Sequence, residues 1–215
     1  MAVKVRASGK QIRSSARRVR ERLFAAGRKA FAAKGLGGAS LREDILAAAE
    51  VSVGSFYHQF DDKADLLVEI LRHDGEAVIA ALQKNAAAGA AEPTEQARDR
   101  LLQEIFDMAE RNPAFVKIFV REFHSDSPAV RREIRRHTER TIAHLRPYYG
   151  ALRDLTGLPL DTEAIAMILT IQCLAVINYY LDFPRSRRAA VRERLIERMV
   201  QLGAGGILAM RTREA

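Results

Sequence analysis

SLREDILAAAEVSVGSFYHQFDDK, residues 40–63, is the stretch around which the rest of the chain is organised. Ser40 followed three residues later by Glu43 reads as a capping box, and Leu41, Ile45 and Ala48 then recur on one helical face. That helix ends at Ala49. After Glu50 and Val51, Ser52 can cap a second short helix that holds Phe56 and Phe60 four residues apart on its inner side. Two short helices joined by a turn of roughly three or four residues, with apolar Val51 between them, make a helix-turn-helix able to lay its second helix in a DNA major groove.

If Phe56 and Phe60 pack inward, Ser55 and Gln59 face outward with Val53 and Tyr57 beside them. Hydroxyls, a carboxamide and a phenol reach bases and phosphates, and the side chain of Val53 suits a thymine methyl. Gly54 costs about 1 kcal/mol in helix propensity, which points to a close approach of something, such as a sugar-phosphate strand, to the backbone there. The DNA-contacting set expected from this pattern is Arg17, Arg42, Ser52, Val53, Gly54, Ser55, Tyr57, His58, Gln59 and Lys63.

These residues carry a resemblance. VSVGSFYHQFDDKADLL, residues 51–67, resembles the recognition segment of TetR-family transcriptional regulators, whose pattern reads G-V-S-x-G-T/S-x-Y-x-H/Y-F-x-S/N-K-x-x-L-L. Val51, Ser52, Gly54, Ser55, Tyr57, Phe60, Lys63, Leu66 and Leu67 match it, and the likeness extends back through Phe31 and Gly35, covering residues 15–70. It implies a homodimeric, all-helical repressor, occasionally an activator, whose C-terminal domain binds a small effector that alters DNA affinity. Two departures stand out. Glu50 replaces the glycine usual in the turn, where positive φ costs a non-glycine residue about 1 to 2 kcal/mol. The count from Gly35 to Ile45 also exceeds the family spacing by one residue, which shifts the entry to the first helix and with it Arg42.

Charge separates the chain into two parts. Residues 1–60 carry 12 Lys and Arg against 4 Asp and Glu, whereas residues 61–215 carry 23 of each, so the whole net charge of +8 lies with the helix-turn-helix. A basic segment joined to a neutral one is the electrostatic footprint of a DNA binder, although a basic arm also suits acidic membrane lipid. The one cysteine, Cys173, allows no intrachain disulfide and fits a reducing compartment. MAVKVRASGK lacks an apolar stretch followed by a cleavage site, so no signal peptide is expected, and the location expected is the cytoplasm, on the nucleoid. Ala164–Leu181 is uncharged and just long enough for a membrane span. Thr170, Gln172 and Asn178 interrupt it, however, and an interface helix is expected instead.

The fold class expected is all-α. Residues 1–14 read as a basic flexible arm with Lys10, Arg13, Arg17 and Arg18, residues 15–61 as the DNA-binding domain, and residues 62–215 as an effector-binding and dimerisation domain. Val19, Leu23, Ala26 and Ala30 predict a helix that Gly35 ends, and Asp62 can cap the next one. AAAGAAEP, residues 86–93, should break that helix. Further helices are expected from residues 94, 113, 128, 162 and 186, with Pro147 kinking or stopping the third of these and Gly203–Gly206 loosening the chain after the last.

Phe106, Phe115, Phe119, Phe123, Met167, Ile171, Gln172 and Tyr179 are the candidate effector lining, with core packing as their plainer role. Asn178 and Arg121 are further polar anchors. Ile168, Ile171, Leu195 and Met199 are the candidate dimer contacts, from helices that offer more apolar surface than a small domain covers. His137 and His144 lie seven apart and read as surface histidines, since no third ligand is near and no metal or cofactor is expected. A helical-bundle enzyme would need converging acids or metal ligands, which are not recognisable, and a protein-binding adaptor does not account for the Tyr57–Lys63 pattern.

Overall fold

Apolar residues at helical spacing and the lack of any alternating run leave helices as the means of burying this chain's hydrophobic side chains. The computed structural model describes residues 2–91, 95–156 and 161–211, which are helix and turn throughout. The elements are α1 (Ala2–Gly38), α2 (a π-helical turn, Leu41–Leu46, finished by Ala47–Ala49), α3 (Val53–Tyr57), α4 (Lys63–Ala91), α5 (Glu95–Arg111), α6 (Pro113–Arg121), α7 (Pro128–Thr156), α8 (Thr162–Leu181) and α9 (Arg185–Arg211). The all-α class is as expected. The chain divides into two compact units, Met1–His73 with Arg121–Ile134, and Asp74–Val120 with Arg135–Ala215.

In the first unit, Leu23 and Phe31 of α1, Ile45 of α2, Phe56 of α3, and Leu66, Leu67 and Ile70 of α4 are fully buried together with Phe60. The rings of Phe56 and Phe60 lie 5.5 Å apart, and Phe24 meets Phe60 at 6.3 Å. Arg20 spreads its guanidinium over Phe24 and Phe60 and donates to Glu69 at 2.6 Å, so its stem and charge both serve the same contact.

Helix α1 starts at Ala2, well upstream of residue 15. Its regular part ends where predicted, at Gly35, whose φ of 71° breaks the helix and leaves Ala39 to donate back to the Gly35 carbonyl at 3.1 Å. Helix α2 winds wide: Ala47 donates to the carbonyl of Arg42, five residues back. The expected capping box is altered accordingly. Ser40 accepts from the Glu43 N–H, but Asp44 rather than Glu43 returns the bond, taking the Ser40 N–H at 2.8 Å.

Glu50 takes the left-handed conformation in the turn despite its side chain, with φ 53° and ψ 45°. Ser52 caps α3 by accepting from the Ser55 N–H. This helix is shorter than expected, yet helical bonding persists beyond it, since Phe60 donates to the Phe56 carbonyl at 3.0 Å. Asp62 caps α4 by accepting from the Asp65 N–H.

In the second unit, Phe106 of α5 stands edge-on to Tyr180 of α8 at 4.9 Å, within a core that includes Val116, Ile177, Leu181, Val191 and Ile196. Asp161 caps α8 as predicted, accepting from Glu163 and Ala164. Three expectations change here. Helix α4 continues through much of the small-residue breaker to Ala91, because alanine is the best helix former and outweighs one glycine. Pro147 does not stop α7, which runs on to Thr156 with Leu145 and Tyr148 buried on either side of it. Helix α9 runs on through Gly203–Gly206 to Arg211.

His137 is no surface histidine. It is buried between Phe115 and Phe119, 5.3 Å from each ring, because Gly75 of α4 leaves room: a Cβ there would stand 2.6 Å from its Nδ1.

Close helix packing of the same kind joins α1 to α4 at Gly27, where a Cβ would fall 2.8 Å from Ile70 Cδ1 and 3.2 Å from Leu66 Cδ2. Gly27→Ala should therefore overpack the first unit and lower its stability by about 1 to 3 kcal/mol despite the better helix propensity of alanine, as read by thermal or urea unfolding.

Candidate nucleic-acid interface

The outer face of the helix-turn-helix is built by what its inner face buries. Phe56 and Phe60 fix the rotation of α3, which leaves Val53 41% and Tyr57 56% exposed in the company of exposed Ser52, Gly54 and His58. A five-residue helix does not persist alone in water, so this exposure is set by packing and not by local propensity. The Tyr57 ring rests edge-on against Phe56 at 5.3 Å.

A shallow depression of about 440 Å³ runs beside α3, lined by Arg42, Leu46, Ala47, Glu50, Val51, Ser52 and Val53. It brings together three of the expected contact residues: Arg42, Ser52 and Val53. Glu50 and Ala47 on the same lining were not among them, because the register of a π-helical turn is not legible from spacing. Ser55 is half-buried, its hydroxyl 2.9 Å from that of Ser52. Gln59 is half-buried too and reaches the Ala16 carbonyl at 3.4 Å. Lys63 donates to the Ala39 carbonyl at 3.0 Å and so ties the start of α4 to the entry of α2. Arg17 is exposed and paired with Glu21 at 2.9 Å.

Several carboxylates of this unit are paired with cations. Lys34, followed by the Ser40 N–H, holds Asp44 below its usual carboxylate range, and Glu50 lies 4.0 Å from Arg22. The basic excess of the N-terminal segment is thus available to a polyanion, with Arg18 and Arg42 exposed.

The residues read as an effector lining have separate surroundings. Phe106 is closed in the α5–α8–α9 core, while Phe115 and Phe119 clasp His137. Phe123 belongs to the first unit and meets His124 at 5.3 Å. Gln172 is half-buried, whereas Met167, Ile171 and Tyr179 face outward with Ile168. Leu195 and Met199 are partly buried against the second core. Burial pushes the Cys173 thiol up to about 11, which leaves it protonated at neutral pH. Among the described residues no three His, Cys, Asp or Glu side chains are placed to hold a metal ion.

A capped, core-anchored helix offering Val53, Gly54 and Tyr57 from a basic unit defines a helix-turn-helix DNA-binding protein. The chain matches, over residues 23–70, the model of the bacterial regulatory proteins of the tetR family. Its fold is that of solved structures such as the TetR-family regulator PfmR from Thermus thermophilus, at 22% identity and TM-score 0.65 over 82% of this chain and 94% of that one. NemR from E. coli in its reduced form is similar at 23% identity and TM-score 0.63, covering 84% and 94%. A transcriptional regulator from Aquifex aeolicus gives 21% and 0.62, covering 86% and 99%. No curated protein sequence matches the chain.

Gly54 separates the needs of the fold from those of the DNA. A Cβ at this position would meet nothing within 4 Å, so the fold itself has no use for glycine there. Gly54→Ala should hold or raise stability, by up to about 1 kcal/mol from helix propensity, while weakening DNA binding in a gel-shift titration. Equal binding by the folded variant would mean that no DNA strand comes close to this backbone.

Proposed function

We propose that the chain is a repressor that binds a pseudo-palindromic operator as a homodimer in the cytoplasm and leaves it when a mostly apolar small molecule binds the second unit. The observation that carries the reading is the outward face of α3, with Val53 and Tyr57 exposed on a basic unit. In this arrangement Tyr57 and Lys63 meet phosphates, whereas Val53 and Ser55 read bases. Arg17, Arg42, Ser52, His58 and Gln59 complete the contact surface.

The second copy docks on α8. This helix has the length and composition to cross a membrane, yet only 28% of its most apolar window is buried, and Met167, Ile168, Ile171 and Tyr179 stand 45% to 60% exposed. Pairing with another copy covers that surface and leaves Ala166, Ile177 and Tyr180 in the core they already occupy. Leu195 and Met199 back the interface from α9.

The effector must bind the two shapes of the dimer with different strength, since equal affinities shift nothing. Phe106, Phe115 and Phe119 are already packed, so entry among them requires that these rings move. Gln172 and Asn178 are half-buried polar groups suited to orient a ligand.

The decisive experiment is selection of duplexes from a random pool by the wild-type protein. Recovery of an inverted repeat is expected, its half-sites about one DNA turn or a multiple apart, roughly 34 to 36 Å per turn. Recovery of no enriched sequence would defeat the reading. On the selected duplex, Tyr57→Phe should weaken binding to all sequences alike, whereas Val53→Ala should change which base is preferred. Sedimentation should give a dimer at micromolar concentration, and Ile171→Asp should convert it to a monomer or unfold it; a wild-type monomer would refute the interface. For any apolar ligand found by thermal shift, calorimetry should show the selected duplex weakening ligand binding by the same factor as the ligand weakens DNA binding.

A further inference from the structure

The entry to the helix-turn-helix is held by a residue far away in sequence. Gly35 breaks α1 with φ 71°, and the next backbone donor, Leu36 N–H, is lost to the helix ladder at that point. It donates instead to the Glu122 carboxylate at 2.7 Å, across 86 residues of chain. Glu122 is only 5% exposed, and it follows directly on α6. The fit on the Gly35 side is close: a Cβ there would stand 3.0 Å from Glu122 Oε1 and 2.9 Å from Arg121 Cδ. Residues 121–134 accordingly cluster with the DNA-binding unit and not with the helices that flank them in sequence.

A second bond reinforces the same association. Glu133, 6% exposed at its side chain, takes Arg72 of α4 at 3.3 Å, and Arg72 also holds Glu69, which binds Arg20 of α1. Two carboxylates from residues 121–134 thus reach the frame on which α2 and α3 rest.

We propose that Glu122 is a positioning residue for DNA binding: by holding Leu36 it fixes the break after α1, and through that break the placement of α2 and α3 against the duplex. It touches no DNA itself. Removing it releases the Gly35–Ala39 turn into several conformations, of which one docks, so affinity falls by the fraction of the docking form. The phosphate contacts of that form are unchanged, which keeps the salt dependence as it was. This inference rests on the family's DNA binding and not on the repressor or effector reading.

The test compares Glu122→Ala, Glu122→Gln and a core control in the same unit, Ile70→Val. Binding is measured on the duplex selected by the wild-type protein and on a random-sequence duplex at several salt concentrations, with amide hydrogen exchange followed at Leu36. For Glu122→Ala, loss of a bond to a charged acceptor should speed Leu36 exchange and weaken binding to the selected duplex by about tenfold each. The salt slope should stay put on both duplexes. Glu122→Gln, which keeps an acceptor oxygen, should restore most of both, and Ile70→Val should lower the melting temperature without moving either. Should Glu122→Ala fail to fold, Glu122→Asp keeps the charge but withdraws it by one methylene and is read in the same way. Selected-duplex affinity within twofold of wild type in the folded variant, or a loss that Ile70→Val reproduces at equal destabilisation, would overturn the proposal.

Discussion

A recognition helix of five residues has too few internal bonds to hold itself, and everything this protein does with DNA depends on the side chains that hold it from behind. Phe56 and Phe60 are those side chains. They enter a core made by α1 and α4, and Arg20 closes the core with its guanidinium across two rings and its charge on Glu69. Once these rings are inside, the positions of Val53, Gly54 and Tyr57 follow from helical geometry. The serine caps and the left-handed Glu50 then fix where the helix begins.

The turn itself shows how a local irregularity is accommodated. The resemblance implies one residue more than the usual spacing here, which would rotate the inner face of α2 by about 100° if the helix stayed regular, taking Ile45 out of the core. A π-helical turn takes up the surplus, and Ile45 and Leu46 remain buried. The same widening moves the reciprocal cap from Glu43 to Asp44, whose charge Lys34 then balances.

The second unit follows a different principle. Its helices are packed by close approach and by aromatic edges, as where Gly75 admits His137 between two phenylalanines and where Tyr180 meets both Phe106 and the Glu110 carboxylate. Burial first, and then that carboxylate, raises the phenol of Tyr180 above its ordinary range, so it remains a donor at any physiological pH. Against this closed core the outer side of α8 is unusual, with four large apolar residues turned away from the unit that carries them.

The sequence by itself determined the helices, the serine and aspartate caps, the inward phenylalanines, the break at Gly35 and the basic charge of the N-terminal segment, because each of these is decided by neighbours a few residues away or by composition. The resemblance to the family also marked the turn position taken by Glu50, where the family pattern carries glycine. Only the tertiary structure decided that α2 winds wide, that Pro147 lies within a continuous helix, and that His137 is buried. Those outcomes depend on packing partners such as Gly75 and Tyr148, which a helical period does not identify. The bond from Glu122 to Leu36 is of the same kind: its two ends are 86 residues apart, and nothing in either segment names the other.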